Sequence, residues 1–137
     1  MIHLQRKINE IDPLGHFILY HGEIAHAEIQ HQYERADIAV FASSCETFGQ
    51  ILIEGMAAGL PTACSRMSAM PEILGDAGIY FNPLDPNSIA EKLRVLIESI
   101  ELRLKIGKAA FLKAKNYTWI RCANDTFNFF KTCLELD

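Results

Sequence analysis

No block of basic residues interrupts this sequence: thirteen Lys and Arg stand against seventeen Asp and Glu, a net charge of -4 over 137 residues. A general electrostatic grip on DNA or RNA is thereby excluded, because affinity for a polyanion comes from clustered cations. Any anion must be held locally. Long apolar runs are missing too. Nothing approaches the roughly 18 consecutive apolar residues of a membrane span, and the opening MIHLQRKINEIDPLG has no apolar secretory core, so the expected location is the cytoplasm. Cysteine is sparse. Cys45, Cys64, Cys122 and Cys133 show no C-x-x-C spacing and no His at zinc-ligand offsets, so free, buried thiols are expected. The five His all lie at or before His31, and His26 and His31 are not i, i+4; neither a metal nor a cofactor is expected. Gly and Pro, at 8 and 5, are ordinary and half the residues are hydrophobic. Disordered, collagen-like and repeat-array classes fall away, leaving one folded domain, or slightly less than one.

What is present alternates. Residues 1–11 look like the tail of an amphipathic helix, with Ile2, Leu4, Ile8 and Ile11 apolar, stopped by Pro13 and Gly15. A strand is expected at 17–21, then a helix from about Ala25 to Arg35. DIAVFASS is a continuous apolar strand of the kind covered on both faces by helices. Thr47 with Gln50 three residues on offers a capping box for a helix through Ile51, Leu52, Met56 and Ala57 that stops at Gly59. PTACS is a strand, Ser68 to Leu74 a turn, and AGIYFN another strand. From Pro86 the pattern is helical: about 87–99, 101–115 and, after a Thr118 cap, 119–135. This order predicts an α/β, Rossmann-like doubly wound parallel sheet with a helical C-terminal tail. The strands at 38–42, 61–64 and 78–81 should be neighbours in that order.

In open parallel sheets, ligands bind beyond the carboxyl ends of the strands. The segment after DIAVFASS reads CETFGQILIEGMAAG, with Glu46 before the helix and Glu54 inside it, spaced E-x7-E. The amides around Phe48, Gly49 and Gln50 begin the helix, carry the positive end of its dipole and form a natural phosphate seat, from which Gly49 removes an obstructing side chain. Glu54, about six residues on, lies about 9 Å along the axis, roughly the distance from a diphosphate to the ribose of the same nucleotide. A carboxylate there can accept from both ribose hydroxyls, and Glu46 can accept from a sugar that the diphosphate carries. The pattern asks for a nucleotide-sugar. His21 and Gly22 end a strand on the same face and are candidates for the base pocket; Arg66, after PTACS, is a candidate phosphate ligand. Pro71 and Glu72 are read as shaping and capping a turn.

Glu46, Thr47, Phe48, Gly49 and Glu54 together make an unbroken E-x-F-G-x-x-x-x-E. This sequence resembles the donor-binding domain of the retaining glycosyltransferases of the GT-B fold, especially family 4. ADIAVFASS, GMAAGLPTACS, MPEILGDAGIYFNPLDP and YTW resemble that family's flanking segments, in order, so that about 120 residues are covered. Gly55 stands where Ala is more frequent, a change expected to leave binding unaltered. The resemblance implies that Glu46 contacts the donor sugar as the catalytic-site carboxylate, that Phe48, Gly49 and Gln50 match the loop over sugar and phosphate, and that Glu54 holds the ribose. It implies a hexose-type transfer from a nucleoside diphosphate sugar, the donor substrate, to an acceptor.

It also implies that the family's first strand, its diphosphate-neutralising Arg and Lys, and its N-terminal acceptor domain precede the point where this chain begins. Residues 1–137 would then be a single partial domain, inactive alone, completed by that domain or by a partner chain. The other reading is a non-catalytic nucleotide-sugar-binding or assembly subunit of a two-chain transferase. The family's sheet order puts two strands between 17–21 and 38–42. Either those two segments pair directly or a second chain, such as a second copy in a homodimer, fills the gap.

Overall fold

The computed structural model describes residues 2–135; Met1, Leu136 and Asp137 fall outside it, so the first residue of the expected 1–11 helix is not covered. Ten elements follow one another: α1 (Ile2–Ile11), α2 (His26–Glu34), β1 (Ala39–Phe41), α3 (Gln50–Ala57), β2 (Thr62–Ser65), α4 (Met70–Leu74), β3 (Ile79–Phe81), α5 (Pro86–Glu98), α6 (Ile100–Ala114) and α7 (Trp119–Leu134). The three strands form one parallel sheet in the order β1-β2-β3, as the run of apolar segments predicts. Phe41, Cys64 and Tyr80 lie in register across it.

Helices pack on both faces. On one, Cys64 joins Leu52 and Met56 of α3, Met70, Ile73 and Leu74 of α4, and Ala110 and Ala114 of α6. On the other, Ala63 and Phe81 meet Leu96 of α5 and Ile106 of α6. Each fully buried Leu or Met contributes about 1.5–3 kcal/mol. Close helix approach needs a bare residue at one place: a Cβ on Gly107 of α6 would collide with the carbonyl oxygen of Gly59. Asp85, Ser99 and Thr118 cap α5, α6 and α7, each accepting from an amide two or three residues on.

Five expectations need correction. Residues 17–21 form no strand: a strand is stable only when paired, and β1 pairs with β2 alone, leaving Phe17, Leu19 and Tyr20 exposed. Val40 of β1 is 47% exposed, so this strand is not covered on both faces. The Thr47–Gln50 capping box does not form; α3 starts two residues later than that box implies, with Gly49 as its N-cap at φ 79°. The cap is chosen by backbone conformation, since a left-handed N-cap favours glycine. Of the four free cysteines only Cys64 is buried: Cys45 lies in the β1–α3 loop, and Cys122 and Cys133 ride on α7, which buries no residue. The segment read as a turn before Leu74 contains the short helix α4, with Pro71 in its first turn.

Candidate functional site

The loop from β1 to α3 leaves the sheet at the carboxyl ends of the strands, and its shape is fixed by residues distant in sequence. Ser68, in the β2–α4 loop, accepts from the Glu46 amide at 3.2 Å and donates to the Glu46 carbonyl at 2.5 Å. Its own backbone is left-handed, φ 54°, a conformation that costs a non-glycine residue about 1–3 kcal/mol and persists only where its surroundings enforce it. The Glu46 backbone is thus pinned while its carboxylate carries no protein hydrogen bond among the described residues.

Phe48 is half exposed and packs its ring edge-to-face on Tyr117, centroids 6.0 Å apart. Tyr117 in turn donates to the Ile73 carbonyl. Gly49 follows, buried, with its carbonyl accepting from Leu52 and Ile53. The amides just ahead of those two are the ones a helix start leaves without intrahelical acceptors. The space beside Gly49 is not tight, since an added Cβ would find Ile73 at an ordinary 3.5 Å. Its positive φ, and not the room a side chain would take, is what asks for glycine.

Gln50 turns its side chain along the helix, donating from Nε2 to Glu54 Oε1 at 3.3 Å. The other oxygen of Glu54, Oε2, accepts from the Tyr33 hydroxyl of α2 at 3.2 Å. Because α3 begins at Gln50, Glu54 is four residues past the first helical residue, about 6 Å along the axis and closer to the N-terminus than the sequence spacing suggested. Glu54 and Tyr33 line a groove of about 550 Å³ between α2 and α3, together with His26, Gln30, Glu34 and Ala58. That volume suits a small ligand. Burial, with the Glu54 charge beside it, pushes the Tyr33 phenol up to about 12. It remains a hydrogen-bond donor throughout the physiological range.

The remaining candidates lie on other segments. Gly22 has φ 67° and open space where a Cβ would be, and His21 beside it is exposed. Arg66 lies over the Tyr80 ring, 5.3 Å from its centroid, and lines a different groove with Asn82, Ser88 and Lys92 between β3 and α5. The structure therefore sets Glu46, Phe48, Gly49, Gln50 and Glu54 on one loop-helix unit, with Gly22 and Arg66 on other segments. Two residues escaped the sequence reading: Ser68 and Tyr33. Both act across more than twenty residues of chain, so no local pattern marks them. Among the described residues no group of three or more His, Cys, Asp or Glu could hold a metal ion, and no helix is long and apolar enough to cross a membrane.

A parallel α/β sheet with helices on both faces and a loop-helix unit at its strand ends is the architecture of a GT-B glycosyltransferase domain. The chain belongs to the glycosyl transferases group 1 family, whose pattern matches residues 5–113. It is 29% identical over 115 residues to an O-antigen chain mannosyltransferase B of Escherichia coli, covering 84% of this chain and 30% of that protein. It is 32% identical to the C-terminal domain of a glycosyl transferase group 1 family protein of Francisella tularensis, with a TM-score of 0.72 over 84% of this chain and 60% of that one. Anabaena HepE, solved in complex with UDP, shares the fold at a TM-score of 0.81 and 18% identity, over 96% of this chain and 36% of that one. The chain spans about a third or less of the curated relatives it matches.

Proposed function

We propose that this chain is the donor-binding part of a retaining, family 4-like hexosyltransferase, and that its site holds the nucleoside diphosphate of the donor. The observation that carries this reading is the pair Glu46 and Glu54 on either side of the Gly49-capped start of α3, with Glu54 set in the α2–α3 groove. Glu54 accepts from the ribose hydroxyls. The amides of Phe48 to Gln50 face the diphosphate, and Glu46, its carboxylate free, accepts from the transferred sugar. The UDP bound by the HepE structure makes a uridine nucleotide a reasonable first ligand to try.

In this reading the enzyme works by stabilising the departing diphosphate and offers no carboxylate nucleophile. The partners are the nucleotide-sugar, the acceptor-binding portion of the complete enzyme and, at the open edge of β1, a strand from that portion or from a second copy of the chain. The 137 residues alone transfer no sugar. A helix N-terminus contributes only about 0.3–1 kcal/mol toward an exposed phosphate, and the proximity of a bound acceptor, on the order of 7–11 kcal/mol in well-oriented cases, is missing.

The test is calorimetry with nucleoside diphosphates and their sugars. Glu54→Gln should lower nucleoside diphosphate affinity on the order of 10- to 150-fold, the loss of a charged hydrogen bond worth about 1.5–3 kcal/mol. Glu46→Gln should leave the sugar-free nucleotide near wild type and weaken only the nucleotide-sugar. Equal losses of nucleoside diphosphate affinity in the two variants would overturn the roles.

A further inference from the structure

The Glu54 carboxylate is held from both sides by neutral donors, one on each oxygen: Gln50 Nε2 from its own helix and the Tyr33 hydroxyl from α2. An ionised carboxylate has about four acceptor positions, two per oxygen. The two bonds leave one position on each oxygen, the number and arrangement that a vicinal diol needs for its two hydroxyls. A helix-surface Glu otherwise distributes its carboxylate over several rotamers. Gln50 lies on the same helix and moves with Glu54; Tyr33 alone ties the group to another element.

The backbone around this contact accommodates the tyrosine. Gly55, next to Glu54, is buried. A Cβ there would come within 3.3 Å of Ala39 Cβ and 3.9 Å of Tyr33 Cε1. Glycine thus lets α3 settle against β1, while toward the Tyr33 ring the 3.9 Å approach is ordinary contact. The departure from the commoner Ala at this position, expected from sequence to leave binding unaltered, faces Ala39 and the edge of the Tyr33 ring.

We propose that Tyr33 is a positioning residue for the diol-binding carboxylate, orienting Glu54 through its hydroxyl so that both remaining acceptor positions face a ribose. This rests on the donor-binding reading above. Being neutral, the phenol orients the carboxylate without cancelling the charge that makes it a strong acceptor. Its burial and the Glu54 charge keep it protonated, so this orientation does not vary across neutral pH.

The experiment measures dissociation constants of the 137-residue chain for UDP, ADP and GDP, then for the 2′,3′-dideoxy form of whichever binds most tightly. The proteins are wild type, Tyr33→Phe, Glu54→Gln and the double variant. Phenylalanine keeps the ring against Gly55 and removes only the hydroxyl. The expected result is a loss of about 3- to 10-fold in ribonucleotide affinity for Tyr33→Phe, no change for the dideoxynucleotide, and no additional loss when Glu54 is already Gln. Equal weakening of both ligands would show a merely structural role and overturn the proposal. Undiminished ribonucleotide binding by Tyr33→Phe would overturn it as well. A wild-type chain that binds no ribonucleotide, or binds it no better than its dideoxy form, would instead defeat the ribose role of Glu54, and the positioning role with it. A wild type that discriminates while Tyr33→Phe discriminates equally would defeat the positioning role alone.

Discussion

Residues 38–117 and the two stretches that flank them use similar side chains to different ends. Among the described residues, every buried hydrophobic side chain lies in the middle stretch, from Leu52 to Ala114. In the first flank, among the described residues from 3 to 36, only Asp12 is buried, and α7 buries nothing although it carries Trp119, Ile120, Phe127, Phe129, Phe130 and Leu134. Apolar content alone therefore does not make a core. In the middle, the apolar residues of α3, α4, α5 and α6 converge on the two faces of one sheet. In α7 they hold only local company: Phe127 meets Phe130 edge to face at 6.3 Å, and the helix relies on its Thr118 cap. Exposed apolar faces of this extent are the kind by which one piece of protein meets another. The candidate site belongs to the middle, except for Tyr33, which reaches in from the first flank.

The sharpest contrast between these regions should appear in stability. Leu96, with no exposure in the middle stretch, should cost about 2–5 kcal/mol when replaced by Ala, whereas Phe127→Ala, 69% exposed on α7, should stay within about 0.5 kcal/mol. Urea titration of both variants checks this, and a comparable loss for the two would erase the distinction. Gly107→Ala comes next. Its new methyl must displace the Gly59 carbonyl, and overpacking of that kind costs about 1–3 kcal/mol, readable in the same titration.

The middle stretch was also the part most legible in sequence. An apolar run without alternation marked β1, Gly59 marked the end of α3 and Pro86 the start of the helical run, because these are local signals carried by a few adjacent residues. Residues 17–21 have the same apolar look, yet a strand exists only in the company of another, and the sequence of one segment does not say whether a partner is beside it. The site divides in the same way. Glu46, Gly49 and Glu54 stand out by spacing. Tyr33 and Ser68 gain their roles only from contacts that close 21- and 22-residue loops, and Thr47 lost the cap to Gly49 on a backbone angle that no residue pattern specifies uniquely.

Ser68 offers a smaller effect that sharpens the comparison within the site. Ser68→Gly relieves a left-handed serine but removes both tethers on Glu46. Those terms are of similar size, each about 1–3 kcal/mol, so the melting temperature should barely move. Affinity for the nucleotide-sugar should nevertheless fall relative to the plain nucleoside diphosphate, because the tethers hold the Glu46 backbone itself, whereas the diphosphate meets amides farther along, at Phe48 to Gln50. A large loss of stability would show that Ser68 serves the fold more than the site.

The smallest effect belongs to the first flank. Burial raises the Asp12 carboxyl, but amides of Phe17, Ile18, His16 and Gly15 outweigh it and hold the group below the usual carboxylate range. A lowered native value means that its contribution is complete above the unfolded-state value and is lost as pH falls through the native one. The 15–18 turn should therefore loosen only in acid. The amide signals of His16, Phe17 and Ile18, which bond to Asp12 at 2.7–2.9 Å, should shift together in an NMR titration, with a midpoint below that of a free aspartate, while the middle stretch stays unchanged. Simultaneous shifts in β2 or α6 would tie the flank to the core.

The central claim, that a nucleoside diphosphate is held at the start of α3, is tested most directly by mapping amide chemical shifts as UDP, ADP or GDP is added to the chain. The largest changes are expected at Glu46 to Glu54, with smaller ones at Tyr33 and Ser68 and none along α7. Changes centred instead on the Asn82, Ser88 and Lys92 groove or on α7, with residues 46–54 unmoved, would contradict it.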